Sequence, residues 1–89
     1  MRVELDGALM TSRGAAHDYL SARLEFPEYY GRNLDALYDL LTERGEPLTI
    51  ILRGKAALYR QMGPYGEALV ETLESAAEEN PFLELVEVE

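Results

Sequence analysis

Eighty-nine residues, 47% of them hydrophobic, supply one domain with one core and are too few for two units that each bury an apolar face. Seventeen Asp and Glu against eight Lys and Arg give a formal net charge of −9, which works against direct RNA or DNA binding because phosphate contacts draw on Lys and Arg. The absence of cysteine excludes disulfides and thiolate metal sites and fits a reducing compartment.

Residues 1 to 5 alternate Met1, Val3 and Leu5 with Arg2 and Glu4, and Asp6-Gly7 follows as a turn signal, so a short strand is predicted. The acids in this opening segment stand where a signal peptide needs an apolar stretch, and no later run is long enough to span a membrane. The expected location is the cytoplasm. Thr11 and Ser12 offer an N-cap for a helix across about residues 13 to 25, with Gly14 a weak former in its first turn and Ala16, Tyr19, Leu20 and Leu24 facing inward. Pro27 bars its continuation. The loop Pro27-Glu28-Tyr29-Tyr30-Gly31-Arg32 contains a glycine suited to the positive φ of a sharp bend.

Asn33 is a good N-cap for a helix from Leu34 to about Arg44, stopped by Gly45 and Pro47. Leu48-Thr49-Ile50-Ile51-Leu52 is a nearly continuous branched apolar run, the pattern of a strand buried on both faces. Lys55 to Met62 reads as a short helix and Gly63-Pro64-Tyr65-Gly66 as a break. Glu67 to Glu79 is then a helix with Leu69, Val70, Leu73, Ala76 and Ala77 as its apolar stripe. Pro81 ends it, and Phe82 to Val88 forms the third strand. Strands separated by helices imply right-handed crossovers between parallel neighbours, so the expected fold is α/β, a three-stranded parallel sheet packed by helices.

In the second helix Leu34, Leu37 and Leu41 fall in one stripe with Leu40 at its margin, while Asp35, Asp39 and Thr42 share the far side and Tyr38 sits between. Two acids at i and i+4 repel by about 0.2–0.5 kcal/mol. Aspartate is also a poor helix former, and Asp39 stands past the first turn, where the macrodipole favours an anion. A helix chosen for stability alone places Lys or Glu there. On spacing alone, a solvated acidic face is the commoner meaning of such a pair.

The run Pro27-Glu28-Tyr29-Tyr30-Gly31-Arg32-Asn33-Leu34-Asp35-Ala36-Leu37-Tyr38-Asp39-Leu40-Leu41-Thr42 closely resembles the loop and inhibitory helix of the barstar family of ribonuclease inhibitors. A weaker resemblance covers nearly the whole chain, including the Asp6-Gly7 turn, His17, Leu20 and the overall length. It implies a single domain over residues 1–89 with a three-stranded parallel sheet and about four helices. It also implies an intracellular inhibitor, monomeric when free. Such an inhibitor binds a secreted microbial guanyl-preferring ribonuclease, barnase-like or related, one to one, and uses no cofactor, metal or catalytic residue.

Carried over by residue, the resemblance puts Asp39 at the phosphate position of the enzyme and pairs Asp35 with a neighbouring cationic or hydrogen-bonding group. Tyr29 packs on a catalytic histidine, and Asn33, Leu34 and Thr42 add close contacts. Tyr38 stands for a family tryptophan, and Glu43 and Arg44 stand for a glycine and a tryptophan. They complete the expected partner-binding set, with Arg44 a candidate to meet an acid on a cognate other than barnase. The family's last-helix acid falls at Ala76, with Glu74 and Glu78 as candidate replacements.

Two other classes compete. The same scaffold can serve as an immunity or interaction domain for a different toxin or regulatory partner, for which the altered rim is the argument. An enzyme using Asp35 and Asp39 as general acid and base needs a pocket that separates their pKa values, which an exposed helix face lacks. Glu67, Glu71, Glu74 and Glu78 read as a solvated acidic stripe, and His17, with no companion ligand or nucleophile, as a structural or surface residue.

Overall fold

The alternation of Val3 and Leu5 with charged neighbours builds strand β1, Arg2–Asp6. A computed structural model describes residues 1–88; Glu89, the last residue of the expected domain, lies outside the described residues. After β1 come a 3-10 turn at Gly7–Leu9, helices α1 (Arg13–Leu24) and α2 (Leu34–Thr42), strand β2 (Leu48–Arg53), helices α3 (Lys55–Met62) and α4 (Pro64–Glu79), and strand β3 (Leu83–Val88). The sheet order is β1-β2-β3 with both pairings parallel, as the crossover argument requires, and Val3, Ile50 and Leu85 lie in register. No helix among the described residues is long and apolar enough to cross a membrane.

That register puts Val3, Leu5, Leu48, Ile50, Leu52 and Leu83 on one face, where they join Leu20, Leu24, Leu37, Leu41, Leu69 and Leu73 from the helices in one core. On the other face Glu4 pairs with Arg53 at 2.8 Å and Thr49 donates to Glu84 at 3.3 Å. Ile51 is buried there, outside the main core, with Glu4 and Val86 as its register neighbours. Helices thus bury one face of β2, whereas on the other only Ile51 is buried, so the strand is not buried on both faces as its apolar run predicts.

Several boundaries differ from the expected ones, most by one residue, and the larger differences at Gly7 and Pro64 have identifiable reasons. The Asp6-Gly7 signal becomes a 3-10 turn because the Asp6 carboxylate accepts from the Ala8 N–H at 2.9 Å. Here Gly7 is required by contact, since a Cβ on it would lie 2.4 Å from the Gly54 carbonyl oxygen. Helix α4 starts at Pro64 instead of Glu67, leaving Gly63 (φ 54°) as the break. Proline at the first helical position has its φ already set and lacks an N–H that would find no partner there. Helix α2 ends at Thr42, two residues before Arg44.

The end of α2 is tied to the end of α4. Asn80, buried, donates from Nδ2 to the carbonyls of Leu41 (2.9 Å) and Arg44 (3.0 Å), and its Oδ1 accepts from the Phe82 N–H at 3.0 Å. Carbonyls that a terminating helix leaves without partners are thereby satisfied. Helix α2 packs chiefly on α4, which becomes its seat.

Candidate functional site

The exposed face of α2 is fixed at its N-terminus by Asn33, whose Oδ1 accepts from the Ala36 N–H at 2.7 Å and whose Nδ2 donates to the Gly31 carbonyl at 3.2 Å. Leu37 and Leu41 are buried, with Leu34, Leu40 and Tyr38 half-buried at the edges. Asp35 and Asp39 therefore point outward, and neither takes part in an ion pair among the described residues. Asp35 lies in the first turn, where the helix macrodipole favours it; Asp39 lies in the last turn, where the macrodipole opposes it.

Tyr29 is presented beside that face because its neighbour is held down. The Tyr30 ring packs on Phe26 with centroids 4.7 Å apart, and its hydroxyl lies 2.6 Å from Nδ1 of His17. The His17 Nε2 is 2.7 Å from the Tyr65 hydroxyl. With Tyr30 buried, Tyr29 turns outward and is 81% exposed. The bend of this loop is made by Arg32, with φ 56°, and not by Gly31. Arg32 is held there by an ion pair with Asp18 and a bond to the Gly14 carbonyl at 3.3 Å. Gly31 serves a different need, since a Cβ on it would come within 3.2 Å of the Ala36 Cβ.

Burial, and secondarily the positive charge of Arg32, lowers the pKa of His17 below its ordinary 6.5. The folded state therefore favours the neutral ring, and the stability this contributes is full above about pH 6.5 and is lost as pH falls from there toward the depressed value. The urea midpoint is expected to drop between about pH 7.5 and about pH 5.5 in the parent chain and to stay nearly flat over that interval in His17→Gln. Equal slopes in both would assign the effect to another group.

Two depressions flank the acidic face. One, of about 190 Å³, is lined by Tyr29, Gly31, Ala36, Asp39, Leu40 and Glu43. The other, of about 490 Å³, lies between α2 and α4 and is lined by Leu34, Asp35, Tyr38, Glu71, Thr72 and Ser75. Tyr29, Asp39 and Glu43 line the first and Leu34, Asp35 and Tyr38 the second, on the two sides of the exposed face of α2, with Asn33 at its N-terminus. Thr42 is half-buried and donates its hydroxyl to the Tyr38 carbonyl at 2.8 Å. Arg44 stands apart, past the helix end, with Nη2 at 3.6 Å from the Met1 sulfur.

The sequence profile described as Barstar (barnase inhibitor) matches residues 1–86, from the start of the chain well into β3. The chain belongs to the barstar family. It is also 38% identical over 79 residues to "Putative ribonuclease inhibitor YrdF" of Bacillus subtilis (strain 168), an alignment covering 88% of this chain and 87% of that protein. A ribonuclease-inhibitor role follows at the level of the family.

The barstar resemblance assigned the acid of the last helix to Ala76, and here the structure requires a correction. Ala76 is wholly buried in the core, and the surface position beside α2 is Ser75. Neither candidate replacement stands in the groove. Glu74 faces Glu87, whose hydrogen bond raises its carboxyl pKa, in a cluster with Lys55; Glu78 does not line the groove. The α4 acid that borders Asp35 and Tyr38 is Glu71, which the apolar stripe of α4 could have indicated, since Glu71 and Ser75 are one turn apart on its polar side.

Proposed function

We propose that this chain inhibits a secreted microbial guanyl-preferring ribonuclease by placing the Asp39 carboxylate where the enzyme would hold an RNA phosphate. The observation that carries this reading is the grouping of two outward carboxylates with the exposed Tyr29 on one firmly capped helix and loop. An enzyme that cleaves RNA must gather cationic donors around the phosphate, so a carboxylate on a rigid convex helix is complementary to it. Asp35 then pairs with a donor beside that site, while Tyr29 covers a catalytic histidine. The hollow between Tyr29 and Asp39 has the volume of about six water molecules, enough for one inserted side chain.

Asn33, Leu34, Tyr38, Thr42 and Glu43 complete the contact, with Arg44 at its outer rim. Binding accounts for these carboxylates better than catalysis, because the open face around Asp35 and Asp39 gives no enclosed environment to hold their protonation states apart. Residues 1–89 act as one domain, monomeric when free, pairing one to one with the nuclease in the cytoplasm of the producing cell.

Titrating the chain into purified secreted guanyl-preferring ribonucleases is expected to abolish RNA hydrolysis by at least one of them at one equivalent. The association rate should fall as salt shortens the screening length from about 10 Å at 0.1 M to about 3 Å at 1 M. No inhibition of any enzyme, or an association rate indifferent to salt, would refute the mechanism. A second reading keeps the scaffold but assigns a different toxin or regulatory partner. It is favoured by Glu43 and Arg44, which stand where the family pattern has a glycine and a tryptophan. Tight binding to a defined non-nuclease toxin, with every ribonuclease unaffected, would rank it first.

A further inference from the structure

We infer that the cleft at the N-terminal turn of α1 is a second contact zone, in which Arg13 receives one carboxylate side chain of the partner protein. This rests on the reading of the α2 face as the nuclease-binding surface and adds the partner's chemistry on its flank. The cleft, of about 340 Å³, is lined by Arg13, Gly14, Arg32, Asn33, Asp35 and Tyr65. It shares Asn33 and Asp35 with the acidic face and so adjoins the surface that a protein seated on α2 would cover.

Arg13 is an unusual choice for its position. It is the first residue of α1, where the macrodipole opposes a cation, and no acid offsets it in that turn. Its guanidinium lies over the Tyr65 ring, 4.3 Å from the centroid, and that ring is itself anchored through its hydroxyl to buried His17. Ring contact restrains the guanidinium carbon over Tyr65, and the N–H groups not engaged by the ring stay able to meet a carboxylate. Of the two cations lining the cleft, Arg32 is matched by Asp18, whereas Arg13, like Arg2, Arg23, Arg44 and Arg60 elsewhere on the surface, takes part in no ion pair among the described residues. Open space remains in the cleft beside Gly14, where an added Cβ would find only the Arg32 Nη2, at 3.9 Å.

The charge balance of the cleft selects the ligand. With Arg32 neutralised by Asp18, and Asp35 on the opposite wall, the site holds one available cation facing one anion. A single carboxylate pairing with Arg13 suits it; a dianionic phosphate group meets repulsion from Asp35. The binding surface then carries an acidic ridge with a cation beside it. Partners lacking an acid at the matching place leave Arg13 desolvated and unmatched, which discriminates among basic nucleases.

The test uses a ribonuclease that the parent chain inhibits, with Arg13→Glu, Arg13→Gln and Asp39→Ala compared by equilibrium binding, and circular dichroism to check the fold. Arg13→Glu is expected to raise Kd by about thirtyfold and Arg13→Gln by about fivefold. One Asp→Lys or Glu→Lys change at the rim of the nuclease cleft should restore binding to Arg13→Glu while weakening the parent complex. Charge steering alone predicts the opposite sign, since a basic enzyme gains attraction from an added acid. If Arg13→Glu binds as tightly as the parent or tighter while Asp39→Ala binds poorly, the cleft assignment is wrong and the α2 reading stands. If Asp39→Ala also binds like the parent, both fall.

Discussion

Replacing Asp39 with alanine is expected to weaken nuclease binding by about 30- to 1000-fold, the 2–4 kcal/mol range of a central interface residue, while making the free protein more stable. The two effects separate because Asp39 is exposed and takes part in no ion pair among the described residues. Alanine is the better helix former, and its introduction removes both the repulsion with Asp35 and an anion from the last turn of α2. Together these should add about 1 kcal/mol, raising Tm by about 4–8 °C in a domain of this size. Calorimetry on the free variant and inhibition assays on the complex read the two quantities independently. Unchanged inhibition would remove Asp39 from the mechanism; simultaneous loss of binding and stability would make its role structural.

His17→Leu is expected to lower stability by about 3 kcal/mol with little change in core volume. Leucine cannot bond either tyrosine hydroxyl, and a buried hydroxyl without a partner costs about 1–3 kcal/mol. Tyr30 is buried and should bear most of that cost; Tyr65 is half-buried and can turn toward water. Adding Tyr30→Phe should recover part of the loss, since removing both members of a hydrogen-bonded pair is far less costly than removing one. Urea denaturation of the single and double variants measures this. A His17→Leu chain as stable as the parent would mean that the triad of rings does not hold the loop. Nuclease affinity should fall as well, because Tyr29 faces outward only while Tyr30 is anchored.

Much of this arrangement was legible from residue patterns. The period-two alternation of β1, the branched run of β2 and the Asn33 cap are local signals that the tertiary structure obeys, and the stripe of α2 by itself places Asp35 and Asp39 outside. His17 was separable from catalysis by the lack of companions, but its two tyrosine partners lie 13 and 48 residues away, beyond any local pattern. Positive φ is commonest in glycine, which points to Gly31 for the bend, whereas the residue that adopts it is Arg32, ion-paired with Asp18. The start of α4 was hidden because proline both breaks and begins helices. The apolar stripe of α4 puts Ala76 in the core, against the family acid that the resemblance sets there; on a helix one residue is a rotation of about 100°, enough to exchange core for surface.

Helix α2 is borne on another helix and stapled at its far end by Asn80. Its outward side chains can consequently be exchanged without disturbing the strands beneath, whose pairing carries the fold. If α2 is the binding face, its outer half and the neighbouring loop can be redrawn to suit another partner while the sheet beneath stays as it is.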